Sequence, residues 1–304
     1  MKILLVEDSA IDRHKVETCL KGWGMEYEAV GNGDEAAEIL QRSDPPDMAL
    51  LDWMLPGKDG IELCKLIRKI SANGTYIYTV MLTSKSRKQD LLTAMDAGAD
   101  DYLSKPVNAS ELRARILVGK RLLDLHHSLK FAATHDFLTG LMNRCEILAA
   151  LQREFSRSGR EGRPAVLILA DIDHFKQTND SCGHGVGDVV LKEVTRRLKL
   201  DLRPYDLVGR YGGEEFLIIL PGCDLNVGTR RADEIRKLVS KTSIEAGGQK
   251  ICTTVSMGVT VTCSSMDHTV EELLREADVA LYAAKNNGRN RVEAFTAAAK
   301  HTTA

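Results

Sequence analysis

Two sets of carboxylates stand where the chain changes direction, and both have the composition of phosphate chemistry. In the first third, Glu7-Asp8 closes one short apolar run and Asp52 another, while Thr83 and Lys105 end two more. Carboxylates at neighbouring strand ends repel unless a cation lies among them. An all-oxygen set suits Mg²⁺, which keeps some waters and leaves room for a phosphoryl oxygen. In the second half, Asp171 ends the run AVLILAD, and Glu214-Glu215 follow Gly212-Gly213. If that strand and that turn are neighbours, their carboxylates converge on one point, as needed for cations that bridge phosphates and offset developing charge. Singly, each acidic residue is as readily a solvated surface group, and an isolated Gly-Gly-Glu-Glu is a short motif with a high chance rate.

The elements that must position these residues follow from periodicity. Lys2–Val6, Glu26–Val30, Met48–Asp52, Tyr76–Thr83 and Asp101–Ser104 read as strands, and Ile11–Lys21, Asp34–Arg42, Ile61–Ile70 and Gln89–Ala97 carry helical spacing. Such alternation predicts a parallel sheet covered on both faces, with ligands beyond the carboxyl ends of its strands. From Ala109 to Thr134 there is only Gly119 and no proline, which predicts one long helix. Val118, Leu122, Leu125, Leu129 and Ala132 follow one another at steps of 4, 3, 4 and 3. That period fits a short coiled-coil seam and equally a stripe packed on the helix's own domain.

A second domain is expected from His135. Arg144–Ser158 reads as a helix, Ala165–Asp171 as a buried strand, and Asp188–Leu200 as a helix after a glycine-rich loop. Leu207–Tyr211 and Glu214–Leu220 flank Gly212-Gly213, a hairpin signal because both turn positions can take positive φ. Helix Asp224–Ser240, strand Ile251–Val261, helix Val270–Asn286 and strand Arg291–Phe295 complete an antiparallel or mixed α+β layer.

Composition bounds the function. A chain of 304 residues predicts two domains, and 43% hydrophobic with 28% charged residues excludes wholesale disorder. The net charge of -2 leaves no global basic field for nucleic acid, and no basic recognition helix stands out. Residues 1–107 hold 13 basic and 18 acidic side chains, the remainder 28 and 25, so any preference for cations lies in the first part and for anions in the second. The seven cysteines form no C-x-x-C pair, which speaks against a disulfide framework or structural zinc and for a reducing compartment. No apolar run approaches the ~20 residues that span a bilayer. Glu7 and Asp8 interrupt what would otherwise resemble the start of a signal peptide. A cytoplasmic protein without membrane or nucleic-acid partners is expected.

LLVEDS (4–9), LLDWMLPGKDG (50–60), MLTS (81–84) and YLSKP (102–106) resemble the receiver domain of bacterial response regulators. The resemblance implies a (βα)5 flavodoxin-like fold over residues 1–107. Asp52 would accept a phosphoryl group from a cognate histidine kinase. Glu7, Asp8, Asp52 and the Met54 carbonyl would hold one Mg²⁺, Lys105 would pair with the phosphate, and Thr83 and Tyr102 would act as switch residues. It also implies a cis Lys105-Pro106 bond. Phosphorylation adds about two charges and three strong acceptors, enough to bias a bistable surface.

DFLTGLMNR (136–144), DIDHFKQTND (171–180), GHGVGD (183–188), RYGGEEF (210–216) and AKNNGRN (284–290) resemble the GGDEF family of diguanylate cyclases. That resemblance implies an α+β, nucleotidyl-cyclase-like domain over residues 135–296, joined to the receiver by the helix at 108–134 and followed by a flexible tail, 297–304. The implied reaction condenses two GTP into cyclic di-GMP and two pyrophosphates. Asp171, the Ile172 carbonyl, Glu214 and Glu215 would coordinate two Mg²⁺ (or Mn²⁺), with Glu214 beside the ribose 3′-hydroxyl as ligand or general base. Asn179 and Asp188 would hydrogen-bond guanine. Main-chain groups of Phe175 and Lys176, with Lys285 and Arg289, would hold the triphosphate, and Gly212 and Gly213 would let the nucleotide approach the backbone. Arg203 and Asp206, at the family's R-x-x-D spacing, would form a product-inhibition site for cyclic di-GMP; an internal ion pair is the plainer alternative.

One GTP site cannot close a two-fold symmetric product alone, so the implied assembly is a homodimer regulated by receiver phosphorylation. The alternative function is a response regulator that binds GTP or cyclic di-GMP without catalysis and acts through protein contacts.

Overall fold

The computed structural model describes residues 1–71, 74–84, 88–262 and 269–296, except the side chains of 88–91. Cys263 and the tail expected at 297–304 lie outside the described residues. The chain divides into two compact units, Met1–Lys130 and Phe131–Ala304.

The first unit alternates β1 (Lys2–Val6), α1 (Ala10–Gly22), β2 (Glu26–Val30), α2 (Gly33–Leu40), β3 (Met48–Asp52), α3 (Gly60–Ser71), β4 (Tyr78–Thr83), α4 (Lys88–Asp96), β5 (Asp101–Ser104) and α5 (Ala109–Thr134). Its five strands are all parallel in the order β2-β1-β3-β4-β5. The central strands are buried on both faces, which explains their continuous rather than alternating hydrophobicity. Two apolar clusters, one on each face, sandwich the sheet. The Lys105-Pro106 bond is cis, as the resemblance implied.

Helix α5 settles the question its periodicity left open. Leu112, Ile116, Gly119 and Leu123 are buried in the first unit, and a Cβ at Gly119 would press into the Tyr78 ring and the Met48 methyl. A different stripe is therefore the one packed on the domain. Val118, Leu122, Leu125 and Leu129 remain 43–62% exposed. The compact first unit runs to Lys130, so it takes in most of the helix expected as a linker at 108–134.

The second unit contains α6 (Arg144–Glu161), β6 (Ala165–Ile172), α7 (Phe175–Cys182), α8 (His184–Lys199), β7 (Leu207–Arg210), β8 (Glu215–Pro221), α9 (Leu225–Ser240), β9 (Ile244–Ala246), β10 (Gln249–Ile251), β11 (Val255–Val261), α10 (Val270–Asn286) and β12 (Val292–Ala294). The main sheet has the order β12-β11-β6-β8-β7, antiparallel except for the parallel β11–β12 edge, a mixed α+β layer. Apolar clusters fill both of its faces.

Three local expectations change. The glycine-rich segment before Asp188 is not a loop: Gly185 and Gly187 lie in the first turn of α8, and α7 precedes it after a single break at Gly183, whose φ is 84°. A side chain at Gly187 would collide with Asn179 Oδ1, so its smallness serves packing of α8 on α7. Ile251–Val261 is not one strand; Gln249–Ile251 pairs with Ile244–Ala246 in a separate hairpin turned by Gly247-Gly248, and β11 starts at Val255. The hairpin at Gly212-Gly213 forms, but neither glycine has positive φ. The link is longer than two residues, closed by the Tyr211 and Gly212 amides donating to the Glu215 carbonyl. A Cβ at Gly212 would meet only the end of the flexible Glu215 side chain, whose carboxylate would have to turn away.

Candidate active site and phosphoacceptor pocket

In the first unit, Glu7, Asp8 and Asp52 bring oxygens within 4.8 Å of one another at the carboxyl ends of β1 and β3. Glu7 is fully buried and Asp8 exposed, so the cluster opens to solvent on one side. Lys105 Nζ donates to Glu7 Oε1 and to Asp52 Oδ2, both at 2.7 Å. Burial pushes the Glu7 carboxyl above its ordinary range, and Lys105 only partly counters that. Burial also pulls on Lys105, but the two carboxylates outweigh it and hold its ammonium above the usual value. Three carboxylates facing one ammonium leave excess negative charge of the kind a hard cation neutralises. The Met54 amide donates to Asp52 Oδ1 at 3.2 Å, Thr83 is buried at the end of β4, and Tyr102 is half-buried on β5. All the expected receiver residues thus lie at one end of the sheet or just beyond it.

In the second unit, antiparallel register sets Asp171 of β6 directly opposite Glu215 of β8. Directly opposed side chains share a sheet face, so two like charges meet at short range. The Ile172 amide donates to the Glu214 carbonyl at 3.2 Å, which fixes the hairpin tip against the end of β6. Lys285, in the last turn of α10, pairs with Asp171 at 2.8 Å. Burial, followed by mutual repulsion with Asp171, raises Glu214 and Glu215 above their ordinary range. Asp171 is raised as well, by burial that Lys285 does not fully offset. Three carboxylates against one lysine is the donor set and charge imbalance that divalent cations fit.

An open cavity of about 310 Å³ joins Asp171, Ile172, Phe175, Lys176, Glu214, Lys285 and Arg289, all expected from the sequence, with Asp173, His174, Gln177 and Asp180. Glu215, Gly212, Gly213, Asn179 and Asp188 are not in that lining; Asn179 is half-buried on α7 and Asp188 exposed on α8, where the two helices meet at Gly183. At the floor, α7 begins with His174 in a left-handed conformation (φ 59°) and no side-chain cap. Helix α8 likewise has no side-chain cap, whereas α1, α2, α6, α9 and α10 carry one. The uncapped amides of α7 open into the cavity, an arrangement that favours anions.

Sequence reasoning missed two supports. Asp173 is buried and accepts from Thr254 Oγ1 (2.6 Å), Ser256 Oγ (2.7 Å) and the Asn290 amide (3.1 Å). It thereby ties β6 to β11 and to the Arg289-Asn290 turn, whose two residues are both left-handed (φ 60° and 47°). Such non-glycine backbone persists only where surroundings enforce it. The second carboxylate of the DID triplet was the available signal. The other support is Arg210, which donates to Asp136 at 3.1–3.2 Å and to the Gly213 carbonyl at 2.7 Å. Asp136 also caps its own turn through Thr139, and the Asn143 side-chain amide donates to the Ala133 carbonyl at the end of α5. The DFLTGLMNR segment therefore links the end of the long helix to the hairpin tip.

Arg203 and Asp206 lie elsewhere on the second unit. Arg203 is exposed, with its guanidinium 5.9 Å from the Tyr205 ring centroid. The Asp206 side chain is fully buried and pairs with Arg231 at 2.8 Å. An internal ion pair is present, but its cation is Arg231 rather than Arg203.

Among the described residues, no helix is long and apolar enough to cross a membrane. The sequence matches the response regulator receiver domain over residues 3–117 and the diguanylate cyclase GGDEF domain over residues 133–291. It is 34% identical to the response regulator PleD of Caulobacter vibrioides over 96% of this chain and 65% of PleD. Against the diguanylate cyclase DosC of Escherichia coli it is 39% identical over 53% of this chain and 35% of DosC. The chain thus spans less than two thirds of the length of these curated relatives. A crystal structure of the coiled coil and GGDEF domain of DgcB from Caulobacter crescentus, in complex with c-di-GMP, matches with a TM-score of 0.56 and 32% identity, covering 61% of this chain and 97% of that one. With its opposed carboxylates, its uncapped helix and these matches, the chain belongs to the GGDEF diguanylate cyclase family and carries a response-regulator receiver domain at its amino-terminal end.

Proposed function

We propose that the protein is a phosphorylation-regulated diguanylate cyclase, converting two GTP into cyclic di-GMP and two pyrophosphates across a homodimer. The observation that carries this reading is the meeting of Asp171, Glu214 and Lys285 in one cavity that the start of α7 also lines, with Glu215 opposite Asp171 across the sheet. The α7 amides of Phe175 and Lys176, with Lys285 and Arg289, bind the triphosphate and orient its α-phosphorus. Asn179 and Asp188 take the guanine edge; a carboxylate there accepts from N1–H and N2–H₂, donors that adenine does not pair in that way. Glu214 stands beside the ribose 3′-hydroxyl as metal ligand or general base. Asp171, the Ile172 carbonyl, Glu214 and Glu215 would hold two Mg²⁺ (or Mn²⁺), which when bound would neutralise charge on the phosphates. The rest is positioning, as in other phosphoryl transfers.

Each 3′-hydroxyl attacks the α-phosphate of the other GTP, so two second units face one another. The exposed Val118-Leu122-Leu125-Leu129 stripe of α5 supports pairing with a second copy. Asp52 is the phosphoacceptor for a histidine kinase, with one Mg²⁺ at Glu7, Asp8, Asp52 and the Met54 carbonyl; Lys105, Thr83 and Tyr102 answer the new charge. Domain limits of 1–107, 108–134 and 135–296 describe the parts by role. Cyclic di-GMP acts back through the Arg203 pocket as inhibitor, and the reaction belongs in the cytoplasm, where its GTP substrate is made.

Purified protein with Mg²⁺ and GTP is expected to yield cyclic di-GMP and pyrophosphate in a ratio of about 1:2, and Glu214→Gln to lose at least about 100-fold in rate. GTP binding with no turnover in the wild type would transfer the protein to the non-catalytic alternative. Beryllofluoride should raise turnover in the wild type and not in Asp52→Ala; equal stimulation of both excludes the phosphorylation route.

A further inference from the structure

We propose that Arg144 contacts the phosphates of the GTP bound by a second copy of the chain, and so serves the condensation in trans. This rests on the two-copy reading of the reaction and adds a residue to it.

Arg144 is the first residue of α6, between the capping Asn143 and Glu146 of the first turn. A cation there faces the positive end of the helix dipole, so its placement works against the helix rather than for it. No partner holds it either. Arg144 is exposed and makes no hydrogen bond or ion pair with the described residues. It is nevertheless aimed, with Cζ 4.7 Å from the centroid of the Tyr211 ring. That ring is half-buried against the apolar cluster shared by α6, β6, β8 and α10, and the Tyr211 amide donates to the Glu215 carbonyl at 2.8 Å. Stacking on a fixed ring leaves the forked N–H groups of a guanidinium free to bind. Tyr211 thus keeps Arg144 at the base of the hairpin that presents Glu214 and Glu215. Burial and Asp171 raise the Glu215 carboxyl, and the Arg144 charge acts against them.

The cavity beside Asp171 does not use this charge. Lys285 and Arg289 line it, and Arg144 does not. The chain's own triphosphate therefore has its cations, and the anion that Arg144 meets comes from outside the unit. In the proposed reaction one such anion arrives at the carboxylates, the α-phosphate of the other copy's GTP. The 3′-oxygen bonds to that phosphorus, its proton passing to Glu214 or to solvent, while the α–β bridging bond breaks and pyrophosphate leaves with the electron pair. Charge grows on the leaving oxygen, and a guanidinium already in place offsets it without reorganisation. Two facing sets of carboxylates repel one another, so an unpaired guanidinium beside each also favours pairing of the copies.

Steady-state kinetics, melting and sedimentation of the full chain test this, with 3′-deoxy-GTP and Mg²⁺ as an unreactive probe. Arg144→Ala is expected to lower kcat at least about tenfold, with KM within about twofold, and to melt no lower than the wild type. Its affinity for 3′-deoxy-GTP, measured at protein concentrations too low for pairing, should stay within about twofold. The probe should strengthen pairing of the wild type at least about tenfold and that of Arg144→Ala no more than about twofold. Arg144→Lys, which keeps the charge and loses the fork, should fall between them. A tenfold loss of 3′-deoxy-GTP affinity in Arg144→Ala would assign the residue to the chain's own nucleotide and overturn the proposal, as would unchanged kcat or undiminished probe-driven pairing. If the wild type pairs on the probe but makes no cyclic di-GMP, the cyclase reading fails, and the pairing of Arg144→Ala still decides the contact. Should Arg144→Ala not fold, Arg144→Lys decides alone, and a wild-type kcat in it refutes the proposal.

Discussion

Neutralising Glu215 should stabilise the metal-free protein while destroying its activity. Asp171 and Glu215 are directly opposed across β6 and β8, so their charges lie about 6 Å apart, a repulsion of about 3 kcal/mol at an effective dielectric near 20. Lys285 beside Asp171 and the half-exposure of Glu215 reduce this to about 1 kcal/mol. The sign is set by the raised Glu215 carboxyl. The folded state holds its proton more tightly than the unfolded chain, so stability declines as pH rises from the ordinary carboxylate range through the raised value. Glu215→Gln removes that decline. Against the wild type, the variant should melt at the same temperature near pH 4 and about 3 °C higher at pH 8 in the absence of divalent cations. Mg²⁺ should stabilise the wild type and narrow or reverse the gap. Differential scanning calorimetry at both pH values, with and without Mg²⁺, reads all of this. A variant that melts below the wild type at pH 8 without metal would show that the opposed carboxylates are not in conflict, and the argument for a cation between them would fail.

Charge placed on the exposed stripe of α5 tests its role: Leu125→Glu with Leu129→Glu should shift the protein to monomer in sedimentation and reduce turnover at least tenfold at low protein concentration, with the melting of the first unit unchanged. Arg210→Gln should cost about 1–2 kcal/mol of stability in denaturant titration and lower kcat more than it raises KM, because it frees the Gly213 carbonyl while leaving the carboxylates in place. Asp173→Ala removes the one acceptor group that the Ser256 and Thr254 hydroxyls and the Asn290 amide share; steady-state kinetics should give a KM for GTP raised several-fold with kcat within about threefold.

Much of the site was legible because its parts are short and periodic. Strand ends announce themselves by a carboxylate breaking an apolar run, and Glu7-Asp8, Asp52 and Asp171 were located that way. The uncapped start of α7 was not, since DIDHFKQTND has no capping residue to mark a helix and the following glycines read as a loop. Gly187 shows why: its reason is the Asn179 side chain on another helix, a contact that local sequence does not display. The Gly212-Gly213 turn was anticipated for the wrong cause, because neither glycine takes positive φ.

By itself the order of residues determined which side chains carry chemistry and on what kind of element, because hydrophobic period and turn chemistry act over a few positions. Tertiary structure decided who meets whom. It set Asp171 against Glu215, paired Asp206 with Arg231, and buried one stripe of α5 while leaving the other exposed. Those choices depend on register and burial across segments tens of residues apart, where the cost of an unpaired charge or an unfilled contact outweighs local preference.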